Sequence, residues 1–444
     1  MPVVPSSLDE WLAYQTRVHP RPIDLGLERL HTVLERLHWH QPEVPVITVA
    51  GTNGKGSVAA YCGEILAAAG HRVGAFTSPH LRDYRERIHI AGRMIATGPL
   101  LLAFERIETA RGDVPLTFFE YNTLAALLAF EAERLDAWVL EVGMGGRLDA
   151  VNVVEPAVAV VVSIGFDHQE YLGTTLAAIG AEKAGIFRRG VPAVLGSRCL
   201  PAVLESTARS VGARLKRLGA EFDYSRGPAD WAYRGTRGRL AHLPAPGLTG
   251  DAQYENAATA IAAVEELEPR LPVGAEAVAR GVAGVRLAGR YQVIEAGPNR
   301  PAWILDVAHN ADAARVLARN LDAAARRGRT LGVCGILADK DGPAVIEPLL
   351  GRIDEWWFAS TEGARGTSGA ALAARLGPLL RVPYHAAASI AAACEAAALA
   401  AGAADRIVVF GSFHSVGPAL DWLEARGVLP SPPAGEYTEA PAGA

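Results

Sequence analysis

The residues Val49-Ala50-Gly51-Thr52-Asn53-Gly54-Lys55-Gly56-Ser57 combine glycines, a lysine and hydroxyl groups in one short loop. They follow an apolar run from Val44 to Val49 that reads as a buried strand. They precede Val58 to Ala69, which reads as a helix ending at Gly70. Strand, glycine loop, lysine, hydroxyl and helix is the order that cradles phosphate. Backbone N–H groups and the positive end of the helix face the anion, the glycines let the backbone approach, and the lysine neutralises charge. The match to the general G-x-x-x-x-G-K-[ST] pattern is imperfect. Its first glycine would fall at Val49, and Gly56 separates Lys55 from Ser57. A glycine-rich strand-to-helix turn without a ligand has the same composition.

Further polar residues sit where apolar runs end. Ser78 closes one run, in Phe76-Thr77-Ser78-Pro79-His80-Leu81. Glu141 closes another, in Leu140-Glu141-Val142-Gly143, and Asp167-His168 follows a third. Each alone has an ordinary reading, as a turn, a buried structural carboxylate or a cap. Together, beside a phosphate loop, Ser78, Glu141 and His168 make a site for a hard ion such as magnesium, which prefers oxygen and keeps contacts with phosphates. An imidazole is the less usual member of that set. Lys183, in Glu182-Lys183-Ala184-Gly185, reads from its position as a solvated lysine near a helix C-terminus, where the dipole favours it.

The elements that must position these groups alternate between strand and helix, which predicts parallel α/β sheets. Strands are expected at Val46–Ala50, Arg72–Thr77, Ala137–Val142, Ala157–Ile164 and Ala193–Leu195, with helices at Tyr121–Arg134 and Leu176–Ile186. Residues 205–245, rich in Arg, Gly and Pro, read as irregular structure or short antiparallel strands. Asn256–Leu267 reads as a helix. The pattern breaks within 288–300, and a new series follows: Trp303–Val307, Thr330–Ile336, Glu355–Ala359 and Arg406–Phe410. The alanine-rich stretch Ala386–Ala404 reads as a helix. The expected architecture is α/β: a P-loop parallel-sheet ATPase domain over 1–292, a smaller Rossmann-like α/β domain over 293–428, and a disordered tail over 429–444.

At 444 residues the chain is long enough for two or three cores, and half of its residues are apolar. A net charge of −5 argues against a general nucleic-acid binder. The cysteines Cys62, Cys199, Cys334 and Cys394 lack metal spacing and read as small buried residues of a reducing compartment. No charged-then-apolar leader opens the chain, and no apolar run approaches the roughly 20 residues that span a bilayer. A cytoplasmic protein without membrane contact is expected.

The ordered motifs resemble the bifunctional dihydrofolate synthase/folylpolyglutamate synthase family of Mur-ligase-like, ATP-dependent amide ligases. The resemblance covers roughly residues 20 to 425. Its residues are Gly51–Ser57, Thr77–Leu81, Arg85–Ile88, Phe119-Glu120, Leu140–Gly143, Gly145–Ala150, Asp167-His168, Glu182–Ile186, Asn256–Ala260, Gly289-Arg290, Asp306–Asn310, Asp339–Asp341 and Gly411–His414. The resemblance implies that Thr52, Asn53, Gly54, Lys55, Gly56 and Ser57 hold ATP phosphates, and that Asn256, Arg290 and Asp306 contact the nucleotide. Ser78, Glu141 and His168 would ligate Mg²⁺, and a monovalent cation such as K⁺ has a place in the same scheme. Lys55, His168 and Lys183 would be the catalytic residues, with Lys183 carbamylated. Carbamylation needs a neutral amine, so burial would have to lower its pKa. His309 and Ser412 would hold the incoming glutamate. Gly26, Leu27, Glu28 and Arg29, with Thr117, Leu148, Asp149 and Ala150, would contact dihydropteroate. The plainer reading of the first segment is an N-terminal helix packed through Leu25, Leu27 and Leu30 and capped by Asp24. Val151, Ala288 and Ala311 depart from the family's usual residues, and none of these changes removes a reacting group.

The reaction implied is ATP-dependent attachment of L-glutamate to dihydropteroate and to tetrahydrofolates through an acyl phosphate, by a monomer. A synthase acting on tetrahydrofolates alone is the nearest alternative. A peptidoglycan Mur ligase is disfavoured because only 50 residues precede Gly51, too few for the separate substrate domain expected there. A regulatory GTPase is disfavoured because the guanine-reading Asn-Lys-x-Asp motif is absent.

Overall fold

The computed structural model describes residues 5–297 and 300–429. The expected tail therefore lies outside the described residues except for Leu429. Eight strands form the first sheet: β1 (Val46–Ala50), β2 (Val73–Phe76), β3 (Ile88–Ile90), β4 (Arg93–Met94), β5 (Ala137–Glu141), β6 (Val158–Val161), β7 (Pro192–Leu195) and β8 (Arg214–Arg217). Their order is β4-β3-β2-β5-β1-β6-β7-β8, parallel except at the β3 and β4 edge. A three-stranded antiparallel sheet follows, of β9 (Asp223–Arg226), β10 (Trp231–Gly235) and β11 (Gly238–Leu243). The last sheet contains β12 (Gln292–Ile294), β13 (Ala302–Leu305), β14 (Thr330–Cys334), β15 (Glu355–Ala359), β16 (Tyr384–Ala387) and β17 (Arg406–Phe410), in the order β12-β13-β17-β14-β15-β16. Only β12 runs antiparallel in it.

The central strand β1 is buried at every position. Its residues alternate between two cores, as a period of two requires when both faces are covered. Val46 and Ala50 face a core built with helices Leu8–Val18, Glu28–Arg36, Thr97–Arg111 and Phe118–Glu131. Ile47 and Val49 face a core built with helices Lys55–Ala68, Ala252–Glu265 and Ala275–Gly284. The C-terminal sheet is likewise covered on both faces.

Several expectations shift. Residues 205–245 include the end of helix Ala202–Val211 and the parallel strand β8 as well as short antiparallel strands. The alanine-rich stretch begins inside β16, and its helix is only Ile390–Ala400. Ser389 sets that start, because its side chain accepts from the N–H of Ala392. The helix after the phosphate loop starts at Lys55 rather than Val58. Cys199 is exposed, in the loop after β7, whereas the other three cysteines are buried. Among the described residues, no helix is long and apolar enough to cross a membrane.

Helix Lys55–Ala68 is held down by helix Ala275–Gly284. A Cβ on Gly281 would lie 2.5 Å from the Ile65 Cα and 2.7 Å from its nitrogen. Gly281→Val should force the two helices apart and cost about 1–3 kcal/mol. Denaturant unfolding will measure that loss, and a weaker nucleotide affinity should accompany it because the phosphate loop rides on the displaced helix.

Candidate active site

Gly51, Ser78, Glu141 and Asp167-His168 stand at or just beyond the C-terminal ends of β1, β2, β5 and β6, the edge where open α/β sheets bind ligands. A cavity of about 1710 Å³ opens there, lined by residues of the first sheet's loops and by loops and helices that follow the strands of the C-terminal sheet.

The loop after β1 is braced before it reaches the cavity. The Thr52 N–H donates to the Ser163 carbonyl at 2.8 Å, and the Asn53 N–H to Ser163 Oγ at 2.9 Å. Thr52 Oγ1 accepts from the Gly165 N–H at 2.9 Å. The Asn53 side chain pairs reciprocally with Asn310 of the C-terminal part, at 3.1 and 3.0 Å. Thr52 and Asn53 therefore shape the loop through protein contacts. The first turn of the following helix, Lys55 to Ser57, has backbone N–H groups without intrahelical partners and lines the cavity. Gly54 makes that turn with φ +84°. Lys55 Nζ donates to the Thr52 carbonyl at 3.2 Å.

Glu141 is buried and accepts from the Ser78 N–H at 3.0 Å. Burial raises its pKa, against the opposing charge of Lys55, the Ser78 amide and Arg290. Burial also lowers the His168 pKa to about 4, so its imidazole is neutral at pH 7 and has a lone pair to offer. Ser78, Glu141 and His168 all line the cavity beside the phosphate loop. Among the described residues, no three His, Cys, Asp or Glu side chains form a metal cage. Oxygen donors, a neutral imidazole and adjacent phosphate oxygens would together suit a hard divalent cation.

Lys183 is 4% exposed, which removes the reading of a solvated helix lysine. Its Nζ donates to the Gly51 carbonyl at 3.0 Å, tying helix Leu176–Ala184 to the start of the phosphate loop. Burial and then the charge of Lys55 pull its pKa down to about 7. Asp149 is fixed nearby by the N–H groups of Met144 and Val151, at 2.8 and 3.0 Å, and burial raises its pKa to about 6.

Arg290 is half-buried across the junction, with its guanidinium 5.1 Å from the centre of the Phe413 ring. Asp306 accepts from the Tyr291 and Ala308 N–H groups at 3.0 and 2.8 Å, with its pKa raised to about 6 by burial. Asn256 lines the cavity and donates to Gln253 at 3.0 Å. His309 also lines the cavity, with Nε2 3.2 Å from Asp167. The Ser412 hydroxyl lies 3.1 Å from the Gly335 carbonyl and 2.8 Å from Ser415 Oγ, tied to its own sheet.

At the other end of the cavity the sequence expectation moves. Of Gly26, Leu27, Glu28 and Arg29, only Gly26 lines the cavity, and Asp24 and Leu25 line it with Gly26. Leu27 packs on the hydrophobic core. Arg29 is bound by Asp24 at 2.6 Å and Glu120 at 3.0 Å, because two carboxylates converge on its guanidinium. Asp24 is therefore an ion-pair partner and not a helix cap. Helix Glu28–Arg36 begins at Leu27 without a side-chain cap bond. Thr117 caps helix Phe118–Glu131, accepting from the Glu120 N–H at 3.2 Å, and lines the cavity with Leu148, Asp149 and Ala150.

Two contributors had no assigned role in the sequence. Asp167 is gripped by Lys340 and by His309, both from the C-terminal part. Burial alone would raise its pKa, but the His309 hydrogen bond and the charges of His168, His309 and Lys340 hold it far below the carboxylate range. The signal was the run Asp339-Lys340-Asp341, which offers a charge but does not name its partner.

A Cβ on Gly54 would lie 2.9 Å from Asn256 Oδ1, in a backbone conformation that costs an L-residue about 1–2 kcal/mol. Gly54→Ala should therefore weaken ADP binding by about tenfold, since 1.4 kcal/mol is one decade. Titration calorimetry measures it, and unchanged affinity would remove the loop from the nucleotide site.

Comparison with known proteins agrees with this geometry. Residues 49–196 match the Mur ligase middle domain, and residues 289–413 match the Mur ligase, glutamate ligase domain. The chain is 42% identical over 425 residues to the dihydrofolate synthase/folylpolyglutamate synthase of Escherichia coli (strain K12), covering 96% of this chain and 97% of that one. It is 37% identical over 429 residues to the Haemophilus influenzae protein of the same name, covering 93% and 96%. The structure of E. coli FolC in complex with DHPP and ADP superposes with a TM-score of 0.90 at 41% identity, over 96% of this chain and 100% of that one. A bifunctional folylpolyglutamate synthase/dihydrofolate synthase with Mn, AMPPNP and L-glutamate bound gives a TM-score of 0.87 at 39% identity, over 95% and 99%. Adenine nucleotides and a divalent metal are thus bound by close structural relatives. The chain belongs to the dihydrofolate synthase/folylpolyglutamate synthase family of the Mur ligases and is an ATP-dependent ligase.

Proposed function

We propose that this enzyme joins L-glutamate to dihydropteroate, giving dihydrofolate, and to tetrahydrofolates, giving folylpolyglutamates, with release of ADP and phosphate. The observation that carries the reading is the convergence of the phosphate loop, Glu141, Lys183 and segment Asp24–Gly26 on one cavity. The substrate carboxylate attacks the γ-phosphorus, an O–P bond forms, and the bond to ADP breaks. The glutamate amine then attacks the acyl phosphate carbonyl, loses its proton and expels phosphate. ATP is required because a carboxylate is a poor electrophile and hydroxide a poor leaving group. Lys55 and the first-turn N–H groups stabilise the transferring charge. Closing of the two domains over the cavity would keep water from the acyl phosphate.

On this reading residues 1–292 form the ATP- and pteroate/folate-binding domain, and residues 293–428 the glutamate-ligase domain. Ser78, Glu141 and His168 hold Mg²⁺, which when bound neutralises phosphate charge, and K⁺ is a candidate monovalent cation. Asn256, Arg290 and Asp306 contact the nucleotide, and His309 and Ser412 the glutamate. The enzyme works as a cytoplasmic monomer.

Lys183 acts as a carbamate. Its amine is buried beside another cation, so replacing its charge with a carboxylate relieves repulsion from Lys55. A folded pKa of about 7, against the ordinary 10.5, means the unfolded chain holds the proton across that interval. Stability from this group therefore rises as pH increases from about 7 to 10.5, and the neutral, reactive amine appears over the lower part of that range. Incorporation of ¹³C-bicarbonate, read by NMR, should increase as pH is raised through about 7 and vanish in Lys183→Ala. A signal that persists in the variant places the carbamate elsewhere.

The decisive assay measures ADP release with ATP, Mg²⁺ and glutamate, adding dihydropteroate or tetrahydrofolate in turn. Release should require glutamate and occur with both acceptors. Lys55→Ala should lower turnover by about 10²- to 10³-fold with an unchanged circular dichroism spectrum. Turnover with tetrahydrofolate and none with dihydropteroate would leave a folylpolyglutamate synthase alone.

A further inference from the structure

The segment after Ser78 belongs by sequence to the first sheet but is fastened to the C-terminal one. Leu81 packs into the hydrophobic core that contains Val307 and Val416. Its carbonyl oxygen would lie 2.3 Å from a Cβ on Gly417, so it presses directly on helix Phe413–Ala425. One turn further along that helix, Arg82 pairs with Asp421 and Glu424, each at 2.5 Å. Glu86 closes the loop from the other side, accepting from the N–H groups of Leu81 and Arg82 at 2.7 and 3.0 Å. The same helix begins at Phe413, under Arg290. Ser78 is thus three residues from an anchor that its own sheet does not provide, while its N–H fixes Glu141.

We propose that Leu81 and Arg82 are positioning residues: they strap the Ser78 loop to helix Phe413–Ala425, so that docking of the C-terminal part sets the Ser78–Glu141 geometry that receives the divalent cation. This rests on the reading of Ser78 and Glu141 as metal ligands. Both residues also line the rim of the cavity, and their anchoring contacts are with helix Phe413–Ala425. The strap's effect on chemistry runs through the loop, as an outer contact that orients a metal ligand does.

The test is Mn²⁺ affinity of the full-length protein loaded with AMPPNP, read by electron paramagnetic resonance without turnover. Leu81→Ala and Arg82→Glu should each weaken Mn²⁺ by about tenfold, the size expected for outer-shell partners. AMPPNP affinity of Arg82→Glu in the absence of metal should stay within about twofold, because among the described residues no hydrogen bond or ion pair joins Arg82 to the phosphate loop. Adding Glu424→Arg to Arg82→Glu should restore Mn²⁺ binding. Ser78→Ala serves as the reference. If it leaves Mn²⁺ affinity unchanged, the metal reading beneath the proposal falls. If it weakens Mn²⁺ while Leu81→Ala and Arg82→Glu do not, the strap is overturned and the metal reading stands. Circular dichroism accompanies each variant. Should Leu81→Ala not fold, Arg82→Glu and its charge-reversed partner decide the matter.

Discussion

The parallel triplet β5-β1-β6 is the constraint on which the rest of the structure depends. Its strands are buried on both faces, and their hydrogen-bonded register fixes where each chain leaves the sheet. Val49 lies opposite Glu141 on one side and Val160 on the other. The phosphate loop, the buried carboxylate and the Asp167-His168 turn are therefore delivered to one edge by backbone geometry. Side-chain contacts only trim their positions. A one-residue slip in β5 would turn Glu141 to the opposite face of the sheet.

Burial then sets the electrostatics. Lys183, Glu141, Asp149, Arg290 and Asp306 gather around one cavity, largely out of water. Each carries a desolvation cost when charged, and each is compensated by a neighbour or by a backbone N–H. Glu141 and Asp306 are acids raised by burial and restrained by Arg290. Among the described residues no carboxylate forms an ion pair with Lys183, and burial disfavours its ammonium form. Helices in the second layer supply the rigidity that keeps these mismatched groups together.

Much of this was legible in the sequence because strands buried on both faces are written as short apolar runs with a polar residue at the end. The runs at Val46, Glu355 and Arg406 ended where the structure ends them. What escaped were features that depend on a distant partner. The Asp24-to-Arg29 segment carried charged residues in a recognisable order, yet nothing local revealed that Glu120, ninety-one positions away, would draw Arg29 out of the cavity. Lys340 and Asp167 are separated by 173 positions, and a charged run alone does not name its counter-ion. The start at Lys55 was missed because a glycine in left-handed conformation can open a helix without the usual side-chain cap. The exposure of Cys199 follows from its loop position, which residue-type averages do not register.

The reciprocal amide pair of Asn53 and Asn310 has a mechanical meaning. It joins the phosphate loop to the other half of the molecule by two neutral hydrogen bonds, each with a net value of about 0.5–1.5 kcal/mol because water offers the same bonds in exchange. A seam stitched with neutral amides yields at a force that thermal motion supplies, and it closes again without needing a counter-ion. A charged contact lies directly beside it, because His309, the residue before Asn310, pairs with Asp167. Opening the seam at this point therefore breaks a neutral pair and an ionic one together.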